Sequence, residues 1–212
     1  MIRNIIWDVD GTLFDTYPAI ADAFQLAVKD LGHDVPIERI TASAKRSLGY
    51  CFTHLANEYG LNESEIGKRF DQYYSLMRPQ DQSPFPGVIS ICQYICAQGG
   101  KNLIISHRGN TGVSELLSIH QMNSLFSGQI TRDDGFPKKP NPAAFIATLQ
   151  RFRLDPTETI TIGDRDIDIL AGQAAGLFSC LFSEDNSKCA PDFIFTKFEE
   201  LDVFLLNRNN KG

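Results

Sequence analysis

Short apolar runs alternate with segments of helical periodicity through most of this chain, and that alternation is the strongest limit on its fold. Strand-like runs fall at residues 4–8, 102–106, 128–131, 159–163 and 178–182, with Ile194 and Phe195 as a short edge strand. Between them, Val88, Ile91, Cys92, Ile95 and Cys96 follow a period of about 3.6 residues until Gly99-Gly100 stops it. Asn141-Pro142 supplies a cap and a first-turn proline ahead of Phe145, Leu149 and Phe152. Residues 166–175, closed by Gly176, form another short helix. Such alternation predicts βαβ units, and so an α/β domain with a mostly parallel, Rossmann-like sheet.

Residues 16–83 break the alternation, with several helical patterns and no convincing strand. Pro18 opens one helix, with Ile20, Phe24, Ala27 and Leu31 on a stripe. Residues 50–59 form a second. Asn62-Glu63-Ser64-Glu65 resembles a capping box and opens a third, carrying Ile66, Phe70, Tyr73 and Met77 on one face. The exit, Ser83-Pro84-Phe85-Pro86-Gly87, is a stiff linker. The expected organisation is a core of residues 1–15 and 84–212 with a helical insertion at 16–83. The tail, residues 207–212, is expected to fray.

Composition narrows the function. With 42% apolar residues and 15 phenylalanines, the 212-residue chain can fill a substantial core. A net charge of −6 with no basic stripe argues against binding a nucleic acid polymer. No apolar stretch reaches membrane-spanning length, and no signal-peptide pattern follows Arg3. The five cysteines (Cys51, Cys92, Cys96, Cys180 and Cys189) have neither disulfide-framework nor zinc-ligand spacing. They read as packed free thiols in a reduced cytoplasm.

The chemistry gathers at the proposed strand ends. Asp8 and Asp10 stand two residues apart where the first apolar run finishes, and Gly11 marks a sharp departure of the backbone. Ser106 ends the second run, Lys139 follows the third, and Asp164 and Asp168 follow the fourth. A parallel sheet brings its carboxyl ends to one edge, where ligands bind in open α/β folds. Close carboxylates repel unless a cation or shared proton compensates. Carboxylates for a hard cation, a hydroxyl and one fixed positive charge are the inventory for phosphoryl transfer.

With Asp8-Val9-Asp10-Gly11-Thr12, Ser106, Lys139 and Gly163-Asp164-…-Asp168 in order, the chain resembles the haloacid dehalogenase-like superfamily over nearly its whole length. The first of these segments and the Pro84–Val88 linker look like the phosphoglycolate phosphatase and β-phosphoglucomutase-like branch. There, an α-helical cap domain is inserted after the first strand of a Rossmann-like core.

The resemblance implies a Mg²⁺-dependent phosphatase for a small phosphorylated metabolite, with Asp8 as the nucleophile and Asp10 as general acid and base. It implies metal binding by Asp8, Asp164 and the Asp10 backbone carbonyl, with phosphoryl contacts from Ser106 and Lys139. Asp168 would act from outside the metal's direct ligands, on a bound water or on Lys139. The family's Lys-Pro-x-Pro pattern selects Lys139, leaving Lys138 solvated. His107 and Arg108 are further substrate contacts to consider, His107 departing from the smaller polar residue common in relatives. Arg46, in the basic stretch Lys45-Arg46-Ser47-Leu48-Gly49, is a third, although a solvated helix end explains that stretch as well.

Structural readings stand beside these. Asp10-Gly11 is a common turn pair, Ser106 could cap a helix, and Asp166 is placed to cap the helix that follows it. The same motifs would serve a phosphomutase, or a non-catalytic phosphate- or metal-binding domain. A dehalogenase would need neither Asp10 nor a metal. No Gly-x-Gly-x-x-Gly segment follows the first strand, which disfavours a nicotinamide site.

Overall fold

A computed structural model describes residues 1–184 and 188–209. In chain order the elements are β1 (Asn4–Trp7), α1 (Tyr17–Asp30), α2 (Ile37–Arg46), α3 (Leu48–Tyr59), α4 (Glu63–Tyr74) and α5 (Val88–Ala97). Then follow β2 (Lys101–Ile105), α6 (Asn110–Ile119), β3 (Phe126–Ile130), α7 (Ala143–Phe152) and β4 (Thr159–Gly163). The chain closes with α8 (Asp166–Ala174), β5 (Phe178–Phe182), β6 (Phe193–Phe195) and α9 (Phe198–Asn209). These elements form two compact units, Met1–Phe14 with Pro84–Gly212, and Asp15–Ser83.

In the first unit the strands form one parallel sheet in the order β3-β2-β1-β4-β5-β6. Helices on both faces leave the central strands no wet side, so Asn4–Trp7 and Thr159–Gly163 are buried throughout. Ile5, Ile6, Trp7, Ile160 and Ile162 fill that dry interior, and the polar Asn4 and Thr159 side chains buried among them hydrogen-bond each other at 3.4 Å. One face packs Ile5, Trp7, Ile104 and Ile162 with Val88, Ile91 and Cys92 of α5, and with Phe198 and Leu201 of α9. The other packs Ile6, Leu103 and Ile105 with Phe145 and Leu149 of α7. The chain crosses from β1 to β2 on one side and later returns to place β4 on the other, so β1 and β4 flank a topological switch point.

Several local expectations shift. Asn141 Oδ1 accepts the Ala143 N–H at 2.9 Å, but Pro142, not Asn141, occupies the cap position of α7. Asp166 is not the cap of α8. Asp168 instead reaches back, its Oδ2 accepting the Arg165 N–H at 3.2 Å, because its place one turn in points it at the helix start. Of the tail, Asn207 to Asn209 remain in α9: the Asn209 side chain accepts the Ile2 N–H at 2.6 Å and donates to the Ile2 carbonyl at 3.0 Å. Residues 210–212 lie outside the described part. All five cysteines are free; Cys51, Cys92 and Cys180 are buried, whereas Cys96 is exposed.

The second unit is helical. Its core joins Ile20, Phe24 and Ala27 of α1 to Ile40, Leu55, Ile66 and Phe70, and Phe24 packs its ring against Phe52 and Phe70. Asn62 caps α4, accepting from Ser64 and Glu65. The basic stretch is a junction: Lys45 and Arg46 end α2, a helix the sequence pattern did not isolate, and Ser47 caps α3 by accepting the Tyr50 N–H at 2.9 Å. No helix among the described residues is long and apolar enough to cross a membrane.

Candidate active site

The sheet register sets the site. Trp7 pairs with Ile104 on one side and Ile162 on the other, so Asp8, Ser106 and Asp164 leave neighbouring strands at one edge. The Asp8 N–H still donates to the Ile162 carbonyl at 2.9 Å, and Ser106 N–H to Ile130 at 3.0 Å. Just beyond, Gly11 adopts a positive φ of 78°, which a side chain would resist, and the chain turns back with Gly11 N–H on the Phe14 carbonyl. Gly163 has a different task. A Cβ there would collide with Asp168, so only glycine lets α8 bring that acid against the strand end.

Lys139 lies at the centre. Its buried Nζ is 2.5 Å from Asp8 Oδ1, 2.5 Å from Asp168 Oδ1, and donates to the Ile105 carbonyl at 3.1 Å. Asp8, Asp164 and Asp168 each present a carboxylate oxygen, all within 4.8 Å of one another. Thr12 Oγ1 donates to Asp164 Oδ1 at 3.4 Å, and Arg165 Nε lies 3.8 Å from Asp164 Oδ1 and 3.9 Å from Asp168 Oδ2. Thr12 and Arg165 lie inside the two acidic motifs, but the sequence reading assigned neither a contact.

Burial raises the Asp8 pKa to about 6 against the pull of Lys139, with Asp168 adding to the rise. Burial also opposes the charge on Lys139, but Asp168 and Asp8 outweigh it and hold the ammonium above its ordinary value. Asp168 is buried too, yet Lys139 and Arg165 bring it below the usual carboxylate range. One cation is thus shared by two acids: Asp168, with Arg165 as well, keeps its charge more readily than Asp8. Asp8 Oδ2 is buried with no hydrogen-bond partner among the described residues. An uncompensated buried carboxylate oxygen within an all-carboxylate set fits a hard divalent cation.

The remaining residues divide. The Asp10 side chain turns to Arg108, whose Nη2 lies 2.5 Å from Oδ1. Ser106 Oγ accepts the Arg108 N–H at 3.0 Å, which closes the turn after β2. His107 Nε2 accepts the Lys139 N–H at 3.0 Å. Its pKa falls to about 4, chiefly through burial and then through Lys139 and Arg165, so the ring is neutral at pH 7. Lys138 is exposed, next to buried Lys139. Arg46 belongs to the helical unit, where its guanidinium lies 3.7 Å from the centre of the Tyr50 ring. The structure therefore gathers Asp8, Asp164, Asp168 and Lys139 tightly, sets Asp10, Ser106, His107 and Arg108 around the same strand ends, and leaves Arg46 on the other unit.

Known proteins match this arrangement. The sequence pattern of haloacid dehalogenase-like hydrolases matches residues 5–182. A phosphoglycolate phosphatase from Aliivibrio fischeri is 30% identical over 215 residues, covering 94% of this chain and 95% of the relative. The crystal structure of a hydrolase from Streptococcus pneumoniae superposes with a TM-score of 0.68 at 27% identity, covering 96% of this chain and 98% of the other. A Haemophilus somnus protein described as a predicted phosphoglycolate phosphatase reaches a TM-score of 0.82 at 21% identity, covering 96% and 98%. Sheet order, the acids at its carboxyl edge and the extent of these matches agree, and the chain belongs to the haloacid dehalogenase-like hydrolase family.

Proposed function

We propose that this protein is a Mg²⁺-dependent phosphatase that hydrolyses a small phosphorylated metabolite through an aspartyl-phosphate on Asp8. The observation that carries the reading is the cluster of Asp8, Asp164 and Asp168 around Lys139, with Asp8 Oδ2 left unpartnered. The relatives named phosphoglycolate phosphatase support a phosphate monoester as substrate. Asp8, Asp164 and the Asp10 carbonyl would hold the cation, which when bound supplies positive charge against the carboxylates and the phosphate dianion.

Two displacements follow from the residues present. Lys139 pairs with Asp8 through Oδ1, and a carboxylate oxygen of Asp8 attacks phosphorus. The ester P–O bond breaks as the Asp8 O–P bond forms, and Asp10 delivers a proton to the departing alkoxide. Asp10, now ionised, takes a proton from water; the water oxygen bonds to phosphorus, the Asp8 O–P bond breaks, and orthophosphate leaves with Asp8 restored. Lys139 and Ser106 stabilise charge on the transferred phosphoryl oxygens. Asp168 keeps Lys139 in place. Residues 16–83 are the family's helical cap in this reading, with Arg46 among the residues that select substrate. A reducing cytoplasm is the compartment it assigns, in keeping with five free cysteines.

A panel of small phosphate esters, assayed with Mg²⁺ for orthophosphate and for isomerised product together, tests the reading. Orthophosphate release without isomer is expected. Isomer without orthophosphate would identify a phosphomutase, and Mg²⁺-dependent binding with no turnover a regulatory domain.

A further inference from the structure

We infer that His107 is a positioning residue for Lys139: its imidazole Nε2 holds the Lys139 backbone N–H and thereby fixes the point from which the ammonium spans Asp8 and Asp168. The inference rests on the phosphatase reading for its kinetic consequence and on geometry for the contact itself.

Lys139 is a buried side chain on an exposed loop. Residues 132–138, Pro140 and Asn141 are all solvent-exposed, whereas Lys139 is 5% exposed. Its Nζ must meet two carboxylates and a carbonyl at once, so a small drift of the backbone would break that geometry. Packing does little to prevent drift, because a cavity of about 230 Å³ runs alongside the loop, bounded by Ile105, Ile130, Phe136 and Ala144 as well as His107. The start of the loop is tied by the Arg132 N–H on the Arg108 carbonyl and the Asn110 N–H on Asp133, and at the lysine itself the His107 ring reaches the backbone, at 3.0 Å from the Lys139 nitrogen. His107 itself is anchored, since its neighbour Ser106 continues the β2–β3 ladder through the Ile130 carbonyl.

The chemistry of the acceptor is specific. A ring nitrogen accepts only when unprotonated, so Nδ1 must carry the proton. With a pKa near 4 the imidazole stays neutral across the working range of pH. A shorter amide such as asparagine would stop near the Nδ1 position, whereas glutamine places an oxygen about where Nε2 lies. Histidine at this position therefore reads as a bridge from the end of β2 to the lysine loop.

Two measurements test this. In the wild-type protein at neutral pH, imidazole ¹⁵N spectra should show His107 protonated at Nδ1 and bare at Nε2, and the Lys139 amide should exchange more slowly than that of Lys138. The opposite tautomer, an imidazolium, or a fast-exchanging Lys139 amide would overturn the inference. In kinetics with p-nitrophenyl phosphate, His107→Phe keeps the ring volume but removes the acceptor. It should lower kcat about fivefold to tenfold with KM changed less than about twofold, the rate equivalent of one lost hydrogen bond. His107→Gln should stay within about threefold of wild type. A fully active His107→Phe, or a His107→Gln as impaired as His107→Phe, would overturn it. If the wild-type protein turns over no ester, the phosphatase reading falls alone, because the spectra and the exchange rates still report on the contact.

Discussion

The Asp10 carboxylate and the Arg108 guanidinium meet in a three-contact pair, with Nη2 at 2.5 Å from Oδ1 and Nε at 3.2 and 3.4 Å from Oδ1 and Oδ2. Ninety-eight residues separate them, and both belong to loops that leave adjacent strands of the sheet. In the proposed reaction Asp10 protonates the leaving oxygen, so Arg108 governs where that carboxyl points. Removing Arg108 should hurt poor leaving groups most, because p-nitrophenolate hardly needs a proton. For Arg108→Ala we expect a loss in kcat of about tenfold on alkyl phosphates and a smaller loss on p-nitrophenyl phosphate. Equal losses on both would separate Arg108 from the acid's task.

Lys139 and Lys138 should differ sharply in stability. Lys139→Ala leaves Asp8 and Asp168 buried and facing each other without their cation, a change worth about 3–5 kcal/mol. Lys138 is exposed, so Lys138→Ala should fall within about 0.5 kcal/mol of wild type. Urea denaturation of the metal-free proteins gives both numbers. A Lys139→Ala protein as stable as Lys138→Ala would contradict the buried pairing.

Asp8 carries a pH signature. Its pKa rises on folding from 3.8 to about 6, so the folded state favours its protonated form. The associated stability is complete below about pH 4 and is lost as pH climbs through about 6. Asp8→Asn cannot ionise. Its melting temperature should match metal-free wild type near pH 4 and exceed it by a few degrees at pH 7, while hydrolysis falls by at least about a thousandfold. A variant less stable than wild type at pH 7 would mean that the link to Lys139 outweighs burial.

Metal binding should separate Asp164 from Asp10. Asp164 offers a side-chain oxygen to the cluster, whereas Asp10 is proposed to contribute only its carbonyl. Asp164→Asn should weaken Mg²⁺ binding by at least about tenfold in a calorimetric titration. Asp10→Asn should leave that affinity within about threefold yet lower kcat at least about a hundredfold. Unchanged affinity in Asp164→Asn would remove it from the ligand set.

Much of this was legible beforehand. The runs at 159–163 and 178–182 coincide with β4 and β5, because β-branched and aromatic side chains such as Ile160, Ile162, Phe178 and Phe182 favour strands even where Thr159, Thr161 and Ser179 interrupt the apolar residues. Helix α2 carries no apolar stripe in the sequence, because its buried residues, Ile40, Ser43 and Ala44, include only one large apolar side chain. Asp166 adjoins the start of α8 without capping it, because adjacency to a helix start does not decide which acid can turn back toward it; Asp168, one turn in, can.

From its residues alone, this chain is committed to an open parallel sheet and to acids at its carboxyl edge, since apolar periodicity and strand-end position are local properties. Which acid meets which base is not local. That Arg108 faces Asp10, that one ammonium serves both Asp8 and Asp168, and that His107 props up Lys139 follow only from how loops 98, 131, 29 and 32 residues apart converge. The physical reason is range: hydrophobic burial chooses the elements, whereas charge pairing and hydrogen bonding act over a few ångströms and take effect once packing has brought their partners together.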